Sequence, residues 1–150
     1  MINWDIVPFK GVGKFKLYSS VEDVKKILDY EKISYSEEIQ RHETWTIPEP
    51  WILISVKDTI NFWFAKNKLF EIWVEKKFNG KLPNGIYVGM SMKEACKIDS
   101  ELKFDDWEEN WESSDGYWIE DEIDTKQVIK IAVFIKEVLD YELFEKYEWC

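Results

Sequence analysis

Acyl or phosphoryl transfer through a side chain needs a nucleophile with a base beside it. The chain holds one histidine, His42, and two cysteines, Cys96 and Cys150. His42 sits in the polar run RHETW, where a lone imidazole is ordinarily solvated or hydrogen-bonded. Cys96 falls on the apolar side of an expected helix, where a thiol acts as a small hydrophobe. Nothing in their spacing pairs them, so no catalytic residue is assigned and no enzyme is expected. Carboxylates are plentiful, with 30 Asp and Glu in 150 residues. Two of them flanking a glycosidic bond would do acid–base work, but at this density chance pairs are inevitable and carry no signal. The runs DDWEEN (105–110) and EDEID (120–124) offer oxygen ligands for a hard cation, yet neither has the alternating acid-plus-glycine spacing of a calcium loop. Zinc would be short of ligands. GVG at 11–13 lacks the further glycines and the Lys-Ser/Thr pair of a phosphate loop. No metal and no cofactor are expected.

The remaining chemistry is non-covalent. Residues 105–124 read DDWEENWESSDGYWIEDEID, with ten acids, no Lys or Arg, and three tryptophans. Packing like charges together costs stability, so the pattern asks for a reason. One reading is a solvated acidic edge with the indoles turned inward. The other is a contact surface: Trp buries large area with few rotors and is favoured at binding hot spots, and a rim of carboxylates steers a basic partner. On that reading the partner-binding residues are Asp105, Asp106, Trp107, Glu108, Glu109, Trp111, Glu112, Asp115, Trp118, Glu120, Asp121, Glu122 and Asp124. Such a patch would mimic the charge of a nucleic acid over a basic cleft.

Charge elsewhere agrees with this. Residues 1–80 are balanced, and the net charge of −10 comes wholly from residues 81–150. A one-sided acidic field repels nucleic acids and anionic membranes and attracts basic proteins. No apolar run nears the roughly 20 residues that span a bilayer, and residues 1–10 lack the order of a secretory signal. Two cysteines make no disulfide framework. A cytoplasmic protein is expected.

The elements that must position these residues come in two similar sets. LYSSVEDVKKI (17–27) and VGMSMKEACKI (88–98) align at an offset of 71 residues. Each has a Ser followed three residues later by an acid, the sign of a capped helix start, then apolar residues three apart. These are Val21, Val24 and Ile27 in one, and Met92, Ala95 and Ile98 in the other. Extended lead-ins are expected at 13–18 and 85–90. WILISV (51–56), TINFWFA (59–65) and LFEIWVE (69–75) read as strands, with turns at Lys57-Asp58 and Asn67-Lys68. GYWIEDEI (116–123) and VIKIAVFI (128–135) read as a hairpin. Residues 99–115 fit either a helical stripe through Phe104, Trp107 and Trp111 or an irregular strand. Residues 31–50 read as a long loop, and 138–148 as a short helix carrying Val138, Tyr141 and Phe144. Ile52, Ile54, Phe62, Phe64, Ile72, Val74, Ile129, Ile131 and Val133 are the expected core. Trp51, Trp63 and Trp73 fall on the second face of the sheet, either exposed as an aromatic plate or buried beneath a loop.

The expected fold is therefore α+β in one compact domain spanning 1–150. Two tandem helix-plus-antiparallel-meander repeats, about 11–80 and 82–148, share a sheet with the helices on one face. The repeated helix start resembles the glycine–small–Ser–x–x–Glu pattern of the β-lactamase inhibitor protein fold. Gly89-Met90-Ser91 keeps it, and Tyr18 stands where the first copy would have glycine. The arrangement also resembles immunity proteins of contact-dependent growth inhibition. The resemblance implies a protein that binds and blocks a cognate basic toxin, a nuclease being the expected class, and it supplies no catalytic residue. The alternative is a non-catalytic adaptor or regulatory module on the same fold.

Overall fold

The computed structural model describes residues 4–41, 47–48 and 50–149. His42 and Cys150 lie outside them. The fold is α+β and mostly sheet. Three short N-terminal strands, β1 (Ile6–Val7), β2 (Gly11–Val12) and β3 (Phe15–Lys16), form a small antiparallel sheet. Helix α1 (Val21–Tyr30) follows, then β4 (Ser36–Gln40), β5 (Trp51–Val56), β6 (Ile60–Ala65) and β7 (Lys68–Val74). Helix α2 (Met92–Ile98) precedes β8 (Lys103–Asp105), β9 (Asn110–Ser113), β10 (Tyr117–Asp121) and β11 (Val128–Phe134). A 3-10 turn (Lys136–Val138) and α3 (Tyr141–Lys146) close the chain. Strands β4 to β11 make one eight-stranded sheet in the order β4-β5-β6-β7-β11-β10-β9-β8, with every pair antiparallel.

Local chemistry explains the helix starts. The Ser20 hydroxyl accepts the Asp23 N–H at 3.1 Å, and the Asp23 carboxylate accepts the Ser20 N–H at 3.3 Å. At α2 the Ser91 hydroxyl accepts the Glu94 N–H at 3.2 Å. Each such cap is worth about 1 kcal/mol. The residue two before each capping serine has a left-handed backbone, Tyr18 at φ 73° and Gly89 at φ 107°. The Tyr18 N–H donates to the Leu69 carbonyl, and the Leu69 N–H donates back to Ser19, both at 2.8 Å. Gly89 and Met90 make the same exchange with Val128, again at 2.8 Å. Leu69 and Val128 stand near the starts of β7 and β11, the two strands that join the halves of the sheet.

The buried face follows the strand register. Ile54, Phe62, Ile72, Val133 and Tyr117 lie in one cross-strand row, and Ile60, Val74, Ile131 and Ile119 in the next. All are essentially inaccessible. Val21, Val24 and Leu28 of α1, Met92 and Ala95 of α2, and Phe15 of β3 belong to the same apolar cluster. Phe15 meets Phe62 at 4.5 Å between ring centroids.

Several expectations need correction. Ile52 and Ile129 are only half-buried. At Ile129 the reason is a bulge: the register slips between Glu120 and Asp121, which brings Val128 opposite Asp121 and into the core. A bulge breaks the two-residue alternation on which the expectation rested. The loop at 31–50 contains an edge strand, β4, whose exposed acids Glu37 and Glu38 suit an unpaired edge. Of the two readings left open for residues 99–115 the strand one holds: the segment contains β8 and β9, so Phe104 and Trp111 are a cross-strand pair with rings 5.4 Å apart. The lead-in at 85–90 forms no strand, and the one at 13–18 keeps only Phe15–Lys16. The hairpin turn of β6 and β7 is Lys66-Asn67, both at positive φ, as a two-residue turn with the twist of its strands requires. Val138 belongs to the 3-10 turn, not to α3.

Candidate functional site

The acidic stretch begins in the β8–β9 hairpin. Asp105 builds the turn: its carboxylate accepts the N–H groups of Trp107 (2.9 Å) and Glu108 (3.2 Å). Its carbonyl accepts the Glu109 N–H at 2.8 Å, and Glu109 takes a left-handed backbone. This geometry throws Trp107 to the tip, where 90% of it is exposed. The turn, and not packing against the core, sets the position of this ring.

Beside the hairpin lies a groove of about 650 Å³ lined by Phe104, Asp106, Glu109, Trp111, Glu120, Asp121, Ile123 and Lys126. Strand alternation puts Phe104 and Trp111 on its floor. The Trp111 indole N–H donates to the Asp121 carboxylate at 3.2 Å, which orients both groups. Ile123, 80% exposed, borders the groove. The arrangement is an apolar floor with four carboxylates and one ammonium around it. It suits a surface that is itself apolar in the middle and basic at the rim.

The other residues of the stretch do not join this groove. Glu112 and Trp118 are cross-strand partners on the opposite face of the sheet. Burial first, and then Asp105 and Glu108, push the Glu112 carboxyl above its usual range. Trp118 packs on Phe134 with ring centroids 4.4 Å apart. Asp115 lies in the β9–β10 turn, where its N–H donates to the Ser113 hydroxyl at 3.0 Å. Glu122 caps the β10–β11 turn, accepting from Thr125 N–H at 3.3 Å, and Asp124 is exposed in the same turn. The 105–124 stretch is thus split between two faces and three turns. Asp106, Glu109, Trp111, Glu120 and Asp121 are the expected residues that the fold brings to one groove. Phe104, Ile123 and Lys126 join them. The apolar Ile123 inside EDEID was the signal in the sequence for an apolar residue at the groove's border.

The second face carries a second aromatic set. Trp51, Trp63, Trp73 and Trp118 are all half-buried there, neither fully exposed nor covered. Trp51 meets Trp63 at 5.7 Å and Phe70 at 5.3 Å. A smaller cavity of about 390 Å³ is lined by Asn61, Trp63, Trp73, Glu75, Glu120 and Lys130. Within it Asn61 donates to Glu75 at 2.7 Å, and Lys130 stands 3.9 Å from the same carboxylate. Glu71, cross-strand from Trp63 on one side and Phe134 on the other, belongs to this face. Burial pushes its carboxyl up to about 7, against a hydrogen bond from the Trp73 indole, with the Glu108 charge adding to the rise. Sequence reasoning passed over Glu71, although it is the one acid between Leu69 and Val74 in β7.

A polar network lies between α2 and the β9–β10 turn. Tyr117 and Ser113 hydroxyls donate to one oxygen of Asp99 at 2.6 and 2.7 Å, and Asn84 donates to the Tyr117 oxygen at 3.1 Å. Burial would raise the Asp99 carboxyl, but these hydroxyls and the Glu101 N–H together hold it below the usual carboxylate range. Burial and then Asp99 push the Tyr117 phenol up to about 12. A serine bonded to an aspartate without an imidazole between them is a structural clasp, not a nucleophile with its base. Burial, with Asp99 and Asp121 nearby, likewise raises the Cys96 thiol, which favours the unreactive form. Among the described residues no three His, Cys, Asp or Glu side chains converge as a metal site. Among them, too, no helix is long and apolar enough to cross a membrane.

Compared with protein-family models, curated proteins and solved structures, the chain finds no match.

Proposed function

We propose that this chain is an immunity-type protein. It binds a basic toxin domain in the cytoplasm and blocks it by occlusion, a nuclease being the class whose cleft the acidic surface complements. The observation that carries the reading is the groove between β8 and β10, where Phe104 and Trp111 form an apolar floor and Asp106, Glu109, Glu120 and Asp121 form the rim. Trp107, held out in water beside it, is the residue best placed to anchor a partner. The net charge of −10 extends the attraction beyond contact.

The fold belongs to the same reading, as two tandem units with their helices on one face of a shared sheet. Each unit runs from a serine-capped helix into four antiparallel strands, α1 with β4–β7 and α2 with β8–β11. What supports the repeat most is the paired backbone exchange described above, in which Tyr18 and Gly89 occupy matching positions at the 71-residue offset. Tyrosine pays for a left-handed backbone that glycine adopts freely, so the position is held by the fold and not by residue preference.

The test replaces the rim by amides: Asp106→Asn, Glu109→Gln, Glu120→Gln and Asp121→Asn together. Association with the basic protein encoded beside this chain is then followed by stopped flow from low to high salt. The expected result is association slowed at least about tenfold at low salt, with a flatter salt dependence. An unchanged rate, or a neighbouring gene that encodes no basic partner, refutes the reading. A partner that is not a toxin would favour the adaptor alternative.

A further inference from the structure

Glu71 is an unusual place for a carboxylate. It lies mid-sheet on β7, between Trp63 of β6 and Phe134 of β11, with Trp118 stacked on Phe134 beyond. Aromatic neighbours offer a carboxylate little solvation, so burial among them disfavours the anion. The Trp73 indole N–H favours its charged form, and the nearby charge that acts on it, Glu108, is of its own sign. The lysines of this face stand opposite other acids: Lys130 opposite Glu120, and Lys103 opposite Glu112. None of the ion pairs among the described residues includes Glu71. Yet the residue keeps partial exposure, as do Trp63, Trp73 and Trp118 on the same face.

A cation would resolve the conflict twice, by pairing with the carboxylate and by lying against the indoles. Guanidinium suits it better than ammonium. It is flat, less strongly hydrated, stacks on aromatic rings, and grips a carboxylate with two N–H groups. We propose that Glu71, flanked by Trp63 and Trp73, is the seat for an arginine side chain of the basic partner. This rests on the protein-binding reading but assigns it a second contact, on the sheet face away from the core. Burial pushes the carboxyl up to about 7 when the seat is empty, so below that pH pairing with arginine is coupled to release of the Glu71 proton to solvent. Arginine itself does not titrate in this range, so the pH dependence belongs to Glu71.

The test uses N-acetyl-arginine amide, its uncharged citrulline counterpart and its lysine counterpart. Binding is read by tryptophan fluorescence, and the Glu71 carboxyl is followed by carbon-13 NMR. The arginine probe is expected to bind saturably, the citrulline probe not at all, and the lysine probe more weakly. Affinity for arginine should fall about tenfold from pH 8 to pH 6 as Glu71 takes up its proton. Glu71→Gln should weaken binding at least tenfold and remove the pH dependence. Trp73→Phe, which loses the N–H but keeps a ring, should move the midpoint of that dependence upward. Equal response to arginine and citrulline, equal binding of arginine and lysine, or a Glu71→Gln protein that binds as well as the parent overturns the proposal. So does a carboxyl that titrates below 5 in the free protein, because water would then already solvate it and leave a cation little to relieve. A groove variant that leaves Glu120 in place, Asp106→Asn with Glu109→Gln and Asp121→Asn, should leave arginine binding intact, because Glu120 also lines the cavity of Trp63 and Trp73. Failure of the groove and failure of the seat are thereby told apart.

Discussion

Replacing Glu71 by glutamine should make the protein more stable, and by an amount that depends on pH. The carboxyl titrates near 7 in the folded chain and at 4.5 without the fold. The folded state therefore binds more protons between these values, so stability falls as pH rises from about 4.5 to about 7, and the loss is complete above that. A difference of roughly 2.5 pH units corresponds to about 3 kcal/mol at pH 8 and about 1 kcal/mol at pH 5. Glutamine carries no charge to desolvate and keeps an oxygen for the Trp73 N–H. Its own amide N–H group, if left without a partner, returns about 1 kcal/mol. The net expectation is a gain of about 2 kcal/mol at pH 8 and about none at pH 5. Urea unfolding of both proteins at the two pH values, followed by tryptophan fluorescence, measures it. A gain that is equal at both, or no gain at pH 8, would show that water reaches the Glu71 carboxyl freely, and the physical basis of the arginine seat would go with it.

Other outcomes follow from the same geometry. Tyr117→Phe removes a 2.6 Å bond to ionised Asp99 and should cost about 2 kcal/mol at pH 7. Because Asp99 is held below its usual range in the fold, the stability it contributes is present above its unfolded pKa and is lost as pH falls. The variant should lose part of that acid-side slope in a urea titration between pH 5 and pH 2. Gly89→Ala has open space for its Cβ but must hold φ near 107°, so it should cost about 1–3 kcal/mol through backbone strain alone, read as a lowered urea midpoint with an unchanged m-value. Trp107→Ala, at a site 90% exposed, should leave the urea midpoint within about 0.5 kcal/mol of the parent while slowing or weakening capture of the basic partner.

Much of the scaffold was legible along the chain because its signals are local. Ser20 with Asp23 and Ser91 with Glu94 announce helix starts through bonds spanning three residues. The alternation in WILISV, NFWFA and FEIWV announces strands through a period of two. Edge strand β4 was missed because SEEIQ, exposed at nearly every position, shows no apolar face to betray its period. The Phe104–Trp111 pair was ambiguous because seven residues make two helical turns or one short hairpin, and only the Asp105 turn decides between them.

The amino-acid order by itself determined where acid and indole are concentrated, where helices begin, and that the second half of the chain carries the charge. Those depend on composition and on contacts a few residues apart. Tertiary structure alone decided which of those acids share a surface. Pleating sends Trp111 and Glu112 to opposite faces, the bulge at Glu120 and Asp121 resets the register, and the pairing of β7 with β11 places Phe134 beside Glu71. A carboxylate's neighbours across a sheet are set by strand order and register. These arise from long-range packing, and no window of sequence contains them.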